Sequence, residues 1–494
     1  MDLLSAVHGC TFDDFLLAPH LSVIDRRDPQ TIDLSARLTR RLILRRPIVS
    51  ANMDTVTRAE MAIVMAEEGG IGIVDRGFRP GDIEPQVREV LKVKRTQHGV
   101  IPDPLTIAPN ATLGDAALAM ERARVGTLVV VDDQGRLAGL LTARDLRFVN
   151  QPDAPVQSRM TPRVQLVTKR GPATLEEAAA MMAAQKVKKL PIVDEDDRLI
   201  GLMTSRDILG QQRQPFATRD DQGRLRVGAA IGARGDYLER ASELLKVGVD
   251  VLVIDIAHGH SAVMERALGQ VRKRYPDVDV IAGNVATPDG ARFLADHGAS
   301  AVKIGIGPGG GCTTRLTTSF GVPQLQALVE CRHAVGDDVP LIADGGIRRD
   351  GAIALALVCG GDTVMLGSAF AGTAEAPGEI VQKSVLLPDS QKAVKVPFKV
   401  LRGMASIEAI KDRLDVEDAS DVDLQAIGAE GLEVSVPLRG SARPVFQDMI
   451  KHLCSSISYG GADSLAGLRA RFKANPSAYL VRLTESSRRE SYER

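Results

Sequence analysis

The fold is decided by the stretch Ala301-Val302-Lys303-Ile304-Gly305-Ile306-Gly307-Pro308-Gly309-Gly310-Gly311-Cys312-Thr313-Thr314-Arg315. Its first four residues predict a short buried strand, and the glycines predict a loop whose backbone can approach a ligand closely. Successive N–H groups in such a loop favour an anion. A cysteine there can act as a nucleophile if its pKa falls below roughly 8.5. An incidental cysteine in a plain loop is the alternative, but the strand before it and the two threonines after it favour a catalytic loop.

Composition and charge exclude several classes of protein. The chain has 494 residues, and its 62 Lys and Arg nearly balance 63 Asp and Glu. This balance gives no reason to expect nucleic-acid binding, and no apolar run approaches the roughly 20 residues of a membrane span. The N-terminus has no long apolar segment, so we expect no secretory signal. The odd number of scattered cysteines favours a reducing, cytoplasmic location. These are Cys10, Cys312, Cys331, Cys359 and Cys454.

Short apolar runs recur along the chain, separated by helical patterns of roughly 10–15 residues. Such repetition predicts parallel strands covered by helices on the sheet faces. We predict a (β/α)8 TIM barrel formed by residues 1–94 and 215–494. A doubly wound open sheet is the alternative, but no G-x-G-x-x-G follows the first strand. The predicted strands lie within 46–50, 70–74, 227–231, 251–255, 280–284, 301–304, 341–344 and 363–367.

An internal repeat interrupts this rhythm between residues 95 and 214. Residues 101–149 and 159–209 each contain a Pro-rich start, an amphipathic helix and a β hairpin with an Asp-rich turn. A repeat of about 50 residues indicates one supersecondary unit used twice. We therefore predict that this segment is a separate module inserted into the barrel.

Five of the predicted strands each have one polar candidate at or after the carboxyl end. In a barrel these positions face the active site, so their regular placement favours a catalytic centre over isolated turn or cap residues. Two glycine-flanked turns, Asp344-Gly345-Gly346 and Gly367-Ser368, follow consecutive late strands, where barrels bind phosphate. The five residues are Asp255, Asn284, Cys312, Asp344 and Ser368.

The catalytic loop resembles that of the IMP dehydrogenase / GMP reductase family, which reads G-I-G-P-G-S-x-C-T-T-R. The segments TFDD-x-L-L-x-P and N-M-D-T-V-T, and the motifs D-G-G-I and R-G-M, extend the resemblance over nearly the whole chain. Two positions depart from the family, because Gly310 replaces a Ser and Leu401 replaces a Tyr. Both family residues contact the nucleotide phosphate, so the resemblance leaves these two contacts unfilled.

The resemblance implies a purine 5′-monophosphate, GMP or IMP, bound covalently by Cys312 at C2. Met53 would pack on the base, although a core methionine is the simpler interpretation of that residue. Glu430 would read the base edge, and its alternative is an exposed acidic turn. The other implied substrate-binding residues are Asp344, Gly345, Gly346, Gly367, Ser368, Gly403, Met404, Ser406 and Gly431.

The resemblance also implies a nicotinamide cofactor and a monovalent cation. Asp255, Ala257, His258 and Asn284 would contact the cofactor. The backbone carbonyls of Gly307, Gly309 and Cys312 would hold K⁺. His258 and His260 could suggest a transition metal, but no third ligand lies nearby in sequence, so we do not expect one.

The inserted repeat resembles a tandem CBS pair. Its (S/T)-x-x-D elements imply regulatory binding of ATP or GTP through a ribose diol, with Thr142, Asp145, Thr204 and Asp207 as ligands. Helix N-capping by each threonine is the alternative. The family implies homotetramers, and CBS pairs can stack these into octamers.

The direction of the reaction depends on a mobile flap expected around residues 404–430. IMP dehydrogenase places the base for its hydrolytic step on a flap Arg-Tyr pair, whereas this segment has one Arg and no Tyr. A reductase instead needs a proton for departing ammonia, through Thr314 and a flap carboxylate, here Glu408 or simply an exposed helix residue. From this we predict an NADPH-dependent GMP reductase. IMP dehydrogenase is the alternative, and an inactive nucleotide-sensing scaffold is disfavoured by the retained site residues.

Overall fold

The computed structural model describes residues 3–96, 101, 104–123, 125–147, 151–171, 175–205, 214–386, 393–413 and 428–492. The chain divides into two compact units. The first comprises Met1–Lys94, Phe216–Asp220 and Leu225–Arg494, and the second comprises Arg95–Pro215 and Asp221–Arg224. The functional domains predicted from the sequence, 1–94 with 215–494 and 95–214, remain our proposal.

Eight parallel strands of the first unit close into a barrel. Closure is made where β2 pairs with β3, with Ile73 opposite Gly228, and where β8 pairs with β1, with Val364 opposite Ile48. The predicted (β/α)8 barrel is confirmed, and the open doubly wound sheet is excluded because no strand edge remains free. The strands are β1 Ile48–Ser50, β2 Ile71–Val74, β3 Gly228–Ile231, β4 Val251–Asp255, β5 Val280–Val285, β6 Ala301–Ile304, β7 Leu341–Asp344 and β8 Thr363–Leu366.

Helices follow the strands and cover the outside of the barrel. Local sequence fixes several of their starts. The Ser261 hydroxyl caps α4 by accepting from the Met264 amide, and the Thr287 hydroxyl caps α5 by accepting from Gly290 just before a helix-initiating proline. The helices are α1 Ala59–Glu67, α2 Glu84–Arg95, α3 Tyr237–Lys246, α4 Ala262–Arg274, α5 Pro288–Asp296, α6 Gln324–Val335, α7 Asp350–Cys359 and α8 Ala442–Tyr459.

The period-two pattern of each strand divides its residues between two cores. One set packs inside the barrel, including Val49, Val253, Ala301 and Ile342, and the alternate residues pack outward against the helices. The parity of β6 that points Ala301 inward also points Lys303 inward. Polar side chains of the same parity at the carboxyl ends therefore converge above the barrel interior.

Further elements of the first unit lie outside the barrel proper. A three-stranded antiparallel sheet precedes and follows the flap segment, and an N-terminal strand pairs with a C-terminal one. Among the described residues, no helix is both long and apolar enough to span a membrane. The strands are Phe15–Leu17, Ala36–Arg37, Ile43–Leu44, Ile380–Leu386, Ala393–Arg402, Glu433–Pro437 and Leu480–Arg482. The helices are Leu3–Val7, Phe12–Asp14 (3₁₀), Thr314–Thr318, Ser368–Ala371, Ile407–Arg413, Leu465–Ala474, Pro476–Tyr479 and Glu485–Tyr492.

The second unit contains two similar halves. Each half has a helix followed by an antiparallel hairpin, and both hairpins shift register at the equivalent place, at Val130/Val131 and at Ile192/Val193. The first half has strands Thr106–Ile107, Thr127–Val131, Leu137–Thr142 and Thr161–Pro162 with helix Leu113–Ala123 and 3₁₀ turns Val156–Ser158 and Arg163–Gln165. The second has strands Lys169–Arg170, Lys189–Val193 and Leu199–Thr204 with helix Leu175–Ala184.

Candidate active site

A cavity of about 330 Å³ opens at the carboxyl ends of the barrel strands. It is lined by most residues that the sequence singled out, although they come from segments far apart in the chain. His258, Ser406, Glu408 and Gly431 do not line it. The predicted residues that do are Met53, Asp255, Ala257, Asn284, Gly307, Gly309, Cys312, Thr314, Asp344, Gly345, Gly346, Gly367, Ser368, Gly403, Met404 and Glu430.

Cys312 is the one cysteine of the five that is not buried. Burial raises the pKa of the others, to about 12 for Cys331 and about 11 for Cys454, so these thiols stay protonated and inert. The Cys312 amide donates to the Gly309 carbonyl at 3.1 Å, which curls the glycine-rich loop beneath the sulfur. The accessible thiol therefore faces the cavity from a fixed loop.

Thr314 and Glu430 form a proton-transfer pair beside this sulfur. The Thr314 hydroxyl lies 3.2 Å from Cys312 Sγ and donates to Glu430 Oε2 at 2.6 Å. The backbone reinforces the pair, because the Thr313 amide donates to the Glu430 carbonyl and the Leu432 amide donates to the Gly311 carbonyl, both at 2.9 Å. A carboxylate can thus exchange a proton with the reacting centre through a single hydroxyl.

The structure places a different carboxylate beside Thr314 from the one the sequence suggested. Glu408 lies in the short helix Ile407–Arg413, where its side chain is exposed. Glu430, predicted only to read the base edge, makes the contact instead. Residues 414–427, the centre of the predicted flap, lie outside the described residues.

Lys303 is a functional residue that sequence reasoning missed. Its ammonium is buried and bridges Asp255 Oδ1 at 2.8 Å and Asp344 Oδ2 at 2.7 Å. It also donates to the Asn284 side chain, which itself donates to Asp344 at 2.9 Å and to the Gly305 carbonyl at 2.8 Å. One cation therefore joins two carboxylates expected to serve different ligands.

The charges in this network fix its protonation. Burial alone would raise the pKa of the Asp255 carboxyl, but Lys303 and Arg76 lower it below its ordinary value. Burial opposes the charge on Lys303 too, yet the two carboxylates raise its pKa above the ordinary value. Asp255 and Lys303 thus remain ionised at neutral pH, and Asp255 presents acceptor oxygens to the cavity.

The turn after β7 has the backbone that a phosphate site requires. Gly345 and Gly346 adopt φ values of +85° and +77°, which favour glycine. A Cβ at Gly345 would lie 2.9 Å from Pro308 Cγ, so the turn packs directly on the catalytic loop. At Gly310 an added Cβ would meet nothing within 4 Å. The loss of the family's serine there is therefore not forced by packing.

The opposite part of the cavity carries acceptors that suit a dinucleotide. The ionised Asp255 carboxylate suits ribose hydroxyls or a carboxamide N–H, whereas both N–H groups of the Asn284 amide already donate within the protein. Arg76, which also lines this part, has a buried Nε without a hydrogen-bond partner among the described residues. An orphaned cationic donor fits an anionic ligand, so the residues present are compatible with a nicotinamide dinucleotide.

The remaining predictions concern residues that would bind a metal, a monovalent cation or a regulatory nucleotide. No group of three or more His, Cys, Asp or Glu within the described ranges could hold a metal ion. The monovalent-cation site at Gly307, Gly309 and Cys312 remains a prediction. In the second unit, Asp145 Oδ2 accepts from both the amide and the hydroxyl of Thr142 at 2.7 Å. Thr204 ends the strand Leu199–Thr204, and Asp207 lies outside the described residues.

Fold and site together define a (β/α)8 barrel with an accessible cysteine in a cavity at the carboxyl ends of its strands. The sequence profile described as the IMP dehydrogenase / GMP reductase domain matches residues 9–493. The chain therefore belongs to the IMP dehydrogenase / GMP reductase family. This family comprises oxidoreductases of purine nucleotides that use a nicotinamide dinucleotide, and it carries a CBS insertion, which confirms the predicted fold class.

Individual relatives refine the comparison. An inosine-5′-monophosphate dehydrogenase of Aquifex aeolicus (strain VF5) is 41% identical over 98% of this chain and 95% of that protein. The inosine-5′-monophosphate dehydrogenase of Escherichia coli (strain K12) is 41% identical over 99% of this chain and 96% of that protein. Among solved structures, a cysteine-to-alanine GMP reductase of Trypanosoma brucei in complex with guanosine 5′-monophosphate matches with a TM-score of 0.86. It is 36% identical over 98% of this chain and 97% of that one.

The predicted GMP reductase activity is wrong in the light of these relatives. Curated proteins about 40% identical over nearly the full length are named IMP dehydrogenases. The prediction failed because it looked for the hydrolytic base only in a flap Arg-Tyr pair. The structure instead places the Glu430 carboxylate against Thr314, beside the cysteine. The predicted NADPH falls with that activity.

Proposed function

We propose that this protein is an IMP dehydrogenase, which oxidises IMP to XMP at C2 of the purine with NAD as hydride acceptor. The observation that carries the proposal is the identity of about 40% over nearly the whole chain with proteins named IMP dehydrogenases. The arrangement of Cys312, Thr314 and Glu430, within successive contacts of 3.2 and 2.6 Å, is compatible with that chemistry. It unites a nucleophile and a base at one point of the cavity. The identity of the full-length relatives supports the oxidative direction.

Cys312 begins the reaction by adding its thiolate to C2 of the hypoxanthine ring. The C2 hydrogen departs as hydride, and the carbon–sulfur bond remains as a thioimidate on the enzyme. The curled glycine-rich loop keeps the sulfur in place, which reduces the entropic cost of the addition. The bound dinucleotide supplies one chemical function, the acceptance of this hydride by its nicotinamide ring.

Thr314 and Glu430 serve the second step. Water adds to C2, its proton passes to the Thr314 hydroxyl as that hydroxyl gives its own proton to Glu430, and collapse expels the Cys312 thiolate and releases XMP. General base catalysis contributes about 10²–10⁴-fold, so this pair can replace a base carried by the flap. Glu430 must be ionised when the water attacks.

The remaining residues bind and orient the substrate. Asp344 holds the ribose hydroxyls, and the backbone amides of Gly345, Gly346 and Ser368 hold the 5′-phosphate, in agreement with the glycine conformations of the first turn. Asp255 and Asn284 hold the nicotinamide riboside. Lys303 fixes Asp255 and Asp344 relative to each other, because both carboxylates bond the same ammonium.

Several further assignments belong to the same proposal. Purine nucleotides such as ATP or GTP bind the CBS pair and regulate turnover, K⁺ occupies the loop carbonyls, and the chain forms tetramers or octamers in the cytoplasm. Each has a direct measurement. Kinetics with and without added nucleotide test the regulation. Comparison of activity in potassium and in lithium tests the cation site, and light scattering with and without nucleotide tests the oligomeric state.

Two initial-rate assays test the proposed reaction. Purified protein with IMP and NAD is expected to form XMP and NADH, whereas Cys312→Ala is expected to form neither while retaining the wild-type circular dichroism spectrum. GMP with NADPH is the opposing assay. Consumption of GMP and NADPH, with no XMP from IMP and NAD, would overturn the oxidative assignment.

A further inference from the structure

Arg76 lies at the rim of the active-site cavity without a role in the chemistry described above. It follows β2 directly, and its side chain lines the cavity beside Asp255. No salt bridge of Arg76 occurs among the described residues, and its buried Nε has no hydrogen-bond partner there. A buried donor without a partner costs free energy, so its retention points to a ligand.

The other charged side chains that line the cavity each have a hydrogen-bond or ion-pair partner. Lys303 is neutralised by Asp255 and Asp344, and Glu430 accepts from Thr314. Among the described lining residues, Arg76 is therefore the cation that lacks a carboxylate in salt-bridge contact. Its field reaches Asp255, whose pKa it helps to lower, yet no hydrogen bond or ion pair from the residues that the structure describes holds the guanidinium itself.

Contacts of Asp75 hold the backbone beside Arg76, whereas the Arg76 guanidinium has no ion pair among the described residues. Neighbouring Asp75 is fully buried, accepts from the Gly77 amide at 2.7 Å and pairs with Arg58 at 3.3 Å. Arg76 Nη1 reaches across to the loop after β3, where a Cβ at Gly232 would lie 3.8 Å away. The guanidinium of Arg76 therefore lies near the loop after β3 and lines the cavity, without a hydrogen-bond partner for its Nε among the described residues.

The position of Arg76 indicates which anionic group of the ligands it would contact. The nucleotide phosphate belongs at the turns of Gly345, Gly346 and Ser368, after β7 and β8, whereas Arg76 stands after β2 on the side of Asp255. The ligand expected on that side is the nicotinamide dinucleotide, and its anionic part is the pyrophosphate. A guanidinium suits this group because its planar donors bind phosphate oxygens in pairs.

We propose that Arg76 binds the pyrophosphate of the nicotinamide dinucleotide and so determines the affinity of the enzyme for that cofactor. The inference rests on the proposed function, which places the nicotinamide end beside Asp255. It predicts that Arg76 discriminates dinucleotides from nucleosides and contributes nothing to binding of the purine monophosphate.

Calorimetric titration of ADP-ribose into the full-length protein saturated with IMP tests this assignment without turnover. Arg76→Gln is expected to weaken ADP-ribose binding by about tenfold to a hundredfold, the range for a charged hydrogen-bonded contact. Arg76→Lys should recover part of the loss, and adenosine, which lacks the pyrophosphate, should bind all forms equally. Arg292→Gln, an exposed helix arginine paired with Asp289, is the charge-matched control and should match wild type.

Unchanged ADP-ribose affinity in Arg76→Gln would overturn the inference, as would an equal loss of ADP-ribose and adenosine, which would indicate general distortion. IMP titration of the same variant shows whether the barrel is intact. The two proposals fail separately. Loss of ADP-ribose binding in a protein that makes no XMP would refute only the dehydrogenase assignment, whereas brisk XMP formation with normal binding in Arg76→Gln would refute only the role of Arg76.

Discussion

Replacing Lys303 with Met is the perturbation whose effect the structure predicts most fully. The ammonium is almost completely buried and contacts Asp255 at 2.8 Å and Asp344 at 2.7 Å. Methionine preserves the length of the chain but removes the charge, which leaves two carboxylates close together without a cation. Breaking a buried ion pair by deleting one partner costs about 3–5 kcal/mol. We expect a loss of that size in the local stability of the barrel.

The stability difference between wild type and Lys303→Met should also change with pH, in a direction that can be measured. In the wild type the pKa of Asp255 is lowered from 3.8, so the ionised carboxylate adds stability above about pH 4, and this is lost as pH falls through the lower folded value. In Lys303→Met, burial without the cation raises that pKa. The variant then takes up protons more readily, so its deficit relative to wild type should shrink as pH falls from 7.5 towards 4.5.

Native-state hydrogen exchange is the suitable assay, because a chain with two compact units has no single unfolding free energy. Amides of β4, β6 and β7, such as Val253, Val302 and Ile342, would report the opening free energy next to the substitution. The matched control is the triple variant Lys303→Met, Asp255→Asn, Asp344→Asn, which has no unpaired charge and should recover most of the loss. A cost below about 1 kcal/mol in Lys303→Met would refute the reasoning.

Three further predictions concern the proton acceptor, a buried acid and the phosphate turn. Glu430→Gln should lower kcat by about 10²–10⁴-fold with accumulation of the enzyme-bound nucleotide in rapid quench, while Glu408→Gln keeps normal turnover; equal losses would contradict the pair with Thr314. Burial raises the pKa of Asp75 from 3.8 to about 6, so the wild type should lose roughly 1 kcal/mol more local stability than Asp75→Asn between pH 5 and pH 7.5 by hydrogen exchange, and a parallel pH dependence would exclude the shift. Gly345→Ala places a methyl group against the catalytic loop at positive φ and should raise KM for IMP by at least tenfold. Gly310 has nothing within 4 Å of an added Cβ, so Gly310→Ala should keep the wild-type KM in the same assay.

The barrel could be predicted from sequence because its signal is local and repeated. Each strand is a short apolar run, and five of the predicted strands have a polar candidate at or shortly after their carboxyl ends, so the side of the barrel that bears the site could be predicted from the chain. The glycine-rich loop likewise contains Cys312 and Thr314 within one segment. Such features can be predicted because residues close together in the sequence determine strands and turns.

The contacts that sequence could not supply join residues far apart in the chain. Glu430 meets Thr314 across 116 positions, whereas the sequence favoured Glu408 because it is a carboxylate within the predicted flap. Lys303 was read as one polar residue in an apolar strand, although the inward parity of β6 carries it into the site. That parity was the available signal, since Ala301 and Lys303 share one face of the strand.

The direction of reaction illustrates a different limit. The composition of the flap argued against hydrolysis, but that inference assumed that the base must be an Arg-Tyr pair. Glu430 stands at its far end and is brought to the cysteine by pairing of residues 431–432 with the catalytic loop. The base was therefore sought in the composition of the flap, although only a long-range contact, that of Glu430 with Thr314, places a carboxylate beside the cysteine.

The most direct test of the central claim is mass spectrometry of protein quenched in acid during turnover of IMP and NAD. We predict that the peptide containing Cys312 carries the mass of a purine nucleotide, that Glu430→Gln increases the modified fraction, and that Cys312→Ala shows none. Turnover by Cys312→Ala, or an adduct on another cysteine with Cys312 unmodified, would contradict the account.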